Sequence, residues 1–433
     1  MRLDDFRLKL GNKEFVPIII GGMGVDISTP ELAVAAARLG GISHISDAES
    51  PAVADRKFGT HFVTDKQERF FSERKNKIKL NVHFDLSMLA EAQRLLVRKT
   101  MEAKKGAGVI FINCMEKLLM NNPLKTLQTR LLAAMDGGID GITLSAGLHL
   151  RSLHLIKEHP RFRDVKIGII VSSVRALKIF IHRAKLVKRL PDYIIVEGPL
   201  AGGHLGFDIK GWSSCDLKTI VKEVLSFLKT QNLLIPVIAA GGIFTGTDAL
   251  EMLQLGASGI QVATRFAVTQ ESGLPATVKQ EYFRAHEEDV IVNLVSPTGY
   301  PMRMLKQSPA LHASTKPNCE ALGYLLVGDG TCPYLNAYCE ASERNPAGPI
   351  SVPHKVCLCT HMLGYRVWTC GHNVYRLKKT THQLPDGTYQ LPTVEDVFRD
   401  YQFSENHEIL LPPNRVADLP SSYTPQAHRN HAL

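Results

Sequence analysis

Residues 235–263 read Ile235-Pro236-Val237-Ile238-Ala239-Ala240-Gly241-Gly242-Ile243-Phe244-Thr245-Gly246-Thr247-Asp248-Ala249-Leu250-Glu251-Met252-Leu253-Gln254-Leu255-Gly256-Ala257-Ser258-Gly259-Ile260-Gln261-Val262-Ala263. A short apolar run, 235–240, stops at two glycines. Thr245 or Thr247 can then cap a helix from Asp248 to Leu255, and Gly256 can end it. A second short strand follows at 259–263. This is one strand–helix–strand unit, and its continuous apolar strands suit a parallel sheet buried on both faces.

The same unit recurs back along the chain. Strands are predicted near 15–21, 42–46, 108–113, 140–145, 166–172, 193–198, 235–240 and 259–263, with one helix in most of the intervals. Repeated alternation points to an α/β fold of parallel strands, and eight such units point to a closed (β/α)8 TIM barrel. The first helix is punctuated as clearly as the seventh: Ser28-Thr29 can cap it, Pro30 fits its first turn, and Gly40-Gly41 can close it. The interval 47–107 is too long for one helix and reads as an insertion after strand two, with an extra strand at Lys77 to Phe84. Beyond residue 270 the pattern dissolves, and 293–390 is rich in Pro, Gly, Cys and Tyr. The expected division is a barrel over 1–270, a loop-rich, Cys-containing extension packed on it over 271–410, and a mobile tail over 411–433.

Composition is that of an ordinary globular enzyme, with 44% hydrophobic and 21% charged residues among 433. No apolar run approaches the ~18–20 residues that span a bilayer. Met1-Arg2-Leu3-Asp4-Asp5 carries two acids and no apolar signal core, so a cytoplasmic location is expected. The formal charge of +9 is spread along the chain; its densest stretch, Arg175 to Arg189, reads as a solvated helix face and not as a nucleic-acid surface. Eight cysteines in such a chain do not imply disulfides. Six of them (Cys319, Cys332, Cys339, Cys357, Cys359, Cys370) crowd the last third without paired Cys-x₂-Cys knuckles. They are read as buried free thiols with no metal; Cys332, Cys339, Cys357 and Cys359 would be the first candidates for ligands.

In a barrel of this kind chemistry sits where strands end and loops begin. Gly21-Gly22-Met23-Gly24 follows strand one; it is either a tight turn or a place where backbone meets a flat ligand. Glu197-Gly198-Pro199-Leu200-Ala201-Gly202-Gly203-His204 follows strand six and displays a histidine on the loop. Histidine moves protons near neutrality, so His204 is the catalytic candidate, against the plainer reading of a structural imidazole. Gly241-Gly242 ends strand seven and Gln261-Val262-Ala263-Thr264 ends strand eight, the two loops with which barrels commonly bind phosphate through main-chain N–H groups.

Taken jointly, these motifs resemble the nitronate monooxygenases, formerly 2-nitropropane dioxygenases, over about Pro17 to Ser308 and more weakly to Arg376. The resemblance is carried by Gly-Gly-Met-Gly-Val-x-Ile-Ser (21–28), Val-Ser-Ser (171–173), Glu-Gly-Pro-x-Ala-Gly-Gly-His-x-Gly (197–206), Ala-Ala-Gly-Gly-Ile (239–243), Gly-Ala-x-Gly-x-Gln (256–261) and Ser-Pro-x-Gly-x-Pro-x-Arg (296–303). It implies non-covalent FMN, with His204 as the catalytic residue. It further implies cofactor contacts from Gly22, Met23, Gly24, Asn113, Glu197, Gly202, Gly203, Gly241, Gly242, Gln261, Val262, Ala263 and Thr264. Glu197 replaces a usual Gln and Ala263 a usual Gly, while the insertion and the Cys-rich extension have no counterpart in shorter members.

The activity that follows from the resemblance is FMN-dependent oxidation of alkyl nitronates or nitroalkanes with O2, giving a carbonyl compound and nitrite. The alternative is an FMN-dependent enoyl-thioester reductase using NAD(P)H. The partners expected are a small-molecule substrate and O2, with no nucleic acid and no membrane; the oligomeric state is left open, a homodimer included.

Overall fold

The computed structural model describes residues 1–116, 122–323 and 329–415. Eight parallel strands close into a barrel: β1 (Ile18–Ile20), β2 (Ile42–Ser46), β3 (Val109–Met115), β4 (Gly141–Ser145), β5 (Lys166–Val171), β6 (Tyr193–Glu197), β7 (Val237–Ala240) and β8 (Gly259–Val262). Each lies within a segment predicted as a strand, or within two residues of it. The helices that ring them are α1 (Pro30–Arg38), α2 (Leu86–Ala103), α3 (Pro123–Asp136), α4 (Ser152–Ile156), α5 (Val174–Leu186), α6 (Leu217–Thr230), α7 (Gly246–Gln254) and α8 (Val394–Phe403). Thr29 caps α1 by accepting from the Leu32 N–H, and Thr245 and Asp248 form a reciprocal capping box at α7.

Strand residues alternate between two cores, because successive side chains point to opposite faces. Ile18, Ile20, Ile110, Ile112, Ile194, Val196 and Ile260 face outward and pack beneath the helices. Ile19, Ile42, Val109, Phe111, Tyr193, Ile195, Ile238 and Ala240 face inward and fill the barrel. Leu8, Leu10 and Phe15 join this inner core from an antiparallel hairpin, Leu8–Leu10 with Lys13–Phe15. One polar chain threads the inside. His44 Nδ1 meets the Ile20 carbonyl at 2.7 Å, and Nε2 meets the Thr143 hydroxyl, which in turn meets the Tyr193 hydroxyl. A carbonyl can only accept, so Nδ1 carries the proton and the two hydroxyls donate in sequence toward Nε2. Burial drives the His44 pKa down to about 4 and keeps the ring neutral.

Three elements differ from their simplest sequence reading. The insertion holds helices at Ser50–Phe58 and Phe62–Arg69 before α2, and Lys77 to Phe84 is not a strand. Its apolar residues do not form one buried face: Ile78 and Leu80 are exposed while Val82 and Phe84, at the same strand parity, are buried. The helix paired with β8 is α8, drawn from the far side of the extension; it packs against α1 and α7, with Phe398 against Phe266 at 5.5 Å. The chain therefore leaves the barrel after β8 and returns to complete its ring. Finally, Leu411 to Arg415 is tied down. Pro412 O accepts from His382, Pro413 O accepts from Gln390, and Arg415 pairs with Asp396 at 2.5 Å. The rest of the expected mobile tail, 416–433, lies outside the described residues.

Among the described residues no helix is long and apolar enough to cross a membrane. Arg175, Lys178, Arg183, Lys185 and Lys188 stand exposed on or just beyond α5.

Candidate active site

A cavity of about 430 Å³ opens at the C-terminal ends of the strands. This is within the usual range for a small-molecule site. Gly22, Met23, Gly24, Asn113, Glu197, Gly202, Gly203, His204, Gly241, Gly242, Gln261, Val262, Ala263 and Thr264 all line it. The fold thus brings the whole predicted set together.

Strand parity explains how three of them face the cavity. Asn113 follows inward Phe111 by two residues, and Glu197 follows inward Ile195 by two. Gln261 pairs in register with Ala240, which pairs with Glu197, so these three form one layer across β6, β7 and β8. Gln261 Oε1 is buried without a hydrogen-bond partner, an acceptor that lacks a donor. Glu197 has its carboxyl pushed up to about 7 by burial, its only resolved cause.

His204 is less free than a loop residue would be. Gly203–His204 forms the edge of a three-stranded antiparallel sheet with Met302–Leu305 and Val290–Asn293. His204 Nε2 lies 2.7 Å from Ser296 Oγ, which lies 2.8 Å from Thr298 Oγ1. Burial lowers its pKa to about 4, so the imidazole is neutral at physiological pH. Behind it, the guanidinium of Arg303 is fully buried. Its Nη1 donates to the carbonyls of Pro199 and Ala201, both at 2.6 Å, and it lies 4.7 Å from the face of Trp212. Arg303 thereby fixes the path of the loop that carries His204.

The extension supplies the side of the cavity that the sequence did not assign. Residues 370–373 cross the mouth and bind three strand-end loops: Gly371 N–H donates to Thr264 Oγ1 (2.9 Å), His372 N–H to Leu200 O (3.1 Å), and Asn373 Nδ2 to Gly242 O (2.7 Å). Gly202 is required here for close approach, since a Cβ would meet the Cys370 carbonyl carbon at 2.5 Å. The neighbour expected beside Gly202-Gly203 is thus protein backbone at Gly202. At Gly22 it is the Asn113 side chain, 2.4 Å from where a Cβ would stand.

Glu49 is a cavity residue that the sequence reading missed. It follows β2 by three residues, a strand-end position, and that was its one available signal. It is 3% exposed, with φ +53° in the left-handed region and Oε2 unpartnered. Burial raises its pKa to about 7 against the opposing field of Lys66. Cys359, Met362 and Tyr300 also line the cavity and were likewise not singled out.

The cysteines are free thiols. Cys319, Cys332, Cys357 and Cys359 line a second, much smaller cavity, Cys319 taking the place expected of Cys339. Among the described residues no three His, Cys, Asp or Glu side chains are placed to hold a metal ion.

Comparison with known proteins gives the family. The profile described as nitronate monooxygenase matches residues 9–345. A (3aS,4S,5R,7aS)-5-hydroxy-7a-methyl-1-oxo-octahydro-1H-indene-4-carboxyl-CoA dehydrogenase of Rhodococcus jostii is 33% identical over 137 residues, 32% of this chain and 34% of that protein. A probable nitronate monooxygenase of Staphylococcus aureus is 33% identical over 101 residues, 23% of this chain and 28% of that protein. The chain spans about a third of the length of the curated relatives it matches. Among solved structures, FabK from Thermotoga maritima matches with a TM-score of 0.52 at 18% identity, covering 92% of this chain and 93% of that one. Nitroalkane oxidase from Streptomyces ansochromogenes matches with a TM-score of 0.52 at 16% identity, covering 83% and 90%. At these identities the two structures speak for the fold alone.

Proposed function

The chain belongs to the nitronate monooxygenase family, and from that premise we propose that it is an FMN-dependent oxidoreductase that converts alkyl nitronates with O2 into a carbonyl compound and nitrite. The observation that carries this reading is the placement of a half-buried, neutral His204 on the wall of a cavity lined by glycine loops and the inward layer Glu197–Ala240–Gln261.

The residues present fit the proposed cofactor. Gln261 Oε1 is an orphaned acceptor, and Glu197 and Asn113 add polar groups to the cavity wall. Main-chain N–H groups of Gly241, Gly242, Ala263 and Thr264 would take the phosphate. When bound, FMN supplies the electron transfer; the protein binds, orients and manages protons. His204, held by Ser296, would take a proton from a neutral nitroalkane or sit against the nitronate anion. Val262, Met23, Leu274 and Met362 would exclude water from the same space. Residues 1–270 are read as the FMN-binding barrel, its ring completed by α8, and the rest of 271–410 as the extension that closes its mouth. The partners proposed are the small molecule and O2, without nucleic acid or membrane, in the cytoplasm.

A second reading has one observation in its favour: the Rhodococcus relative is named for a coenzyme A thioester. On that reading the enzyme would exchange electrons between NAD(P)H and an acyl thioester. An anaerobic spectral titration separates the two. Bleaching of the flavin by ethyl nitronate and not by NADPH supports the first; the reverse supports the second. Purified protein is expected to be yellow and to release FMN, not FAD, on heating. Colourless protein that cannot be reconstituted with FMN overturns both.

A further inference from the structure

Glu197 closes β6 in the inward register of Tyr193 and Ile195, so its carboxyl belongs to the cavity and not to the layer beneath the helices. Its strand neighbours bring it no charge. β7 (Val237–Ala240) has no titratable side chain, and the sole one on β5 is Lys166 at the opposite end of that strand.

The ionisable groups that share the cavity are engaged elsewhere. Arg265 pairs with Asp400 at 2.5 Å, and His372 lies 3.4 Å from Glu287. His204 meets Ser296 and is neutral. Glu49 lies in the field of Lys66. The Cys359 and Cys370 thiols are held protonated by burial. The hydroxyls of Tyr282 and Tyr401 meet the carbonyls of Thr369 and Ile243, and Tyr300 completes the set. Among the described residues no cation is therefore aimed at Glu197. An ionised carboxylate there would depend on cavity water for its stabilisation, and any occupant removes that water.

We propose that Glu197 meets its ligand as a neutral carboxylic acid, a hydrogen-bond donor, so that filling this cavity with a flavin takes up one proton. The inference rests on the flavin reading above and adds a protonation state to it. Burial already raises the empty site's carboxyl to about 7, and loss of water raises it further. The sign follows by linkage. Below about pH 7 the acid is already protonated and affinity is flat; above it, each pH unit weakens binding about tenfold.

Flavin fluorescence titrations of the deflavinated full chain between pH 6 and 9 test this. FMN and riboflavin are both used, because the FMN phosphate titrates near 6 and riboflavin has none. The wild type is expected to lose about 15-fold in riboflavin affinity between pH 7 and 8.5. Glu197→Gln should show no such slope, whatever its affinity at pH 6, while Glu49→Gln should keep it. Calorimetry of the wild type at pH 8 in two buffers of different ionisation enthalpy reads proton uptake directly, without any variant; a value near one is expected. Flat wild-type affinity with no proton uptake overturns the inference and leaves the flavin reading standing. A slope that persists in Glu197→Gln, or vanishes in Glu49→Gln, assigns the proton elsewhere and also overturns it. Failure to bind either flavin at any pH removes the flavin reading and this inference together.

Discussion

Asn373 donates its side-chain Nδ2–H to the main-chain carbonyl of Gly242 at 2.7 Å, joining two residues 131 positions apart. One comes from a cysteine-rich extension without periodicity, the other from the loop after β7. With Gly371 on Thr264 and His372 on Leu200, the contact ties the extension to the loops after β6, β7 and β8.

Asn373→Ala should leave the barrel folded and weaken FMN. A hydrogen bond of this kind contributes about 1 kcal/mol, so the dissociation constant should rise about 5–10-fold. The dissociation rate of bound flavin checks it. An unchanged rate would mean that the strap does not steady the phosphate loops.

Arg303→Met removes the donor to Pro199 O and Ala201 O and leaves the loop before His204 without its clamp. Flavin content should persist, since the proposed phosphate loops lie on other strands. kcat should fall on the order of 10²-fold, the usual cost of misplacing a reacting group by about 1 Å. Equal loss of flavin and of kcat would instead point to general unfolding of the mouth.

His204→Asn should lower activity on neutral nitroalkanes by ~10²–10⁴-fold, the usual worth of a general base, and lower oxidation of preformed nitronate less. Because burial holds the imidazole near 4, its protonation should leave no inflection in kcat/KM between pH 5 and 8. Equal losses on both substrates would assign His204 to holding the anion. Unchanged rates on both would make it a structural residue.

His44 should make the fold acid-sensitive. Its pKa is about 4 in the folded chain against 6.5 as the ordinary value, so the unfolded state binds the proton first as pH falls. The stability it contributes is complete above pH 6.5 and is lost between there and 4, by on the order of 3 kcal/mol. Urea unfolding at pH 7 and at pH 4.5, compared between wild type and His44→Gln, reads this directly. Parallel losses in the two proteins would show that other groups carry the acid sensitivity.

What the sequence by itself determined is the barrel and the residues at its mouth. Buried parallel strands must be apolar on both faces, so runs such as Val237 to Ala240 announce themselves. Caps such as Thr29 and Thr245 fix where the helices begin by satisfying free N–H groups, a requirement internal to a few residues. The period of two then assigns Asn113 and Glu197 to the inner face, because each follows an inward position on its own strand by two residues, whereas Gln261 takes its place there through register with Ala240. Lys77 to Phe84 shows the limit: apolar content suggested a strand, but the segment is irregular, with Ile78 and Leu80 left exposed while Val82 and Phe84 are buried. Tertiary structure alone decided the rest. Nothing local in Cys370-Gly371-His372-Asn373 says that it returns to the mouth; its donors find Leu200, Gly242 and Thr264 only once the barrel has placed those acceptors together. The acidity of Glu49 and Glu197 is likewise a tertiary property, since a carboxyl rises toward neutrality only when surrounding chain, distant in sequence, has taken its water away.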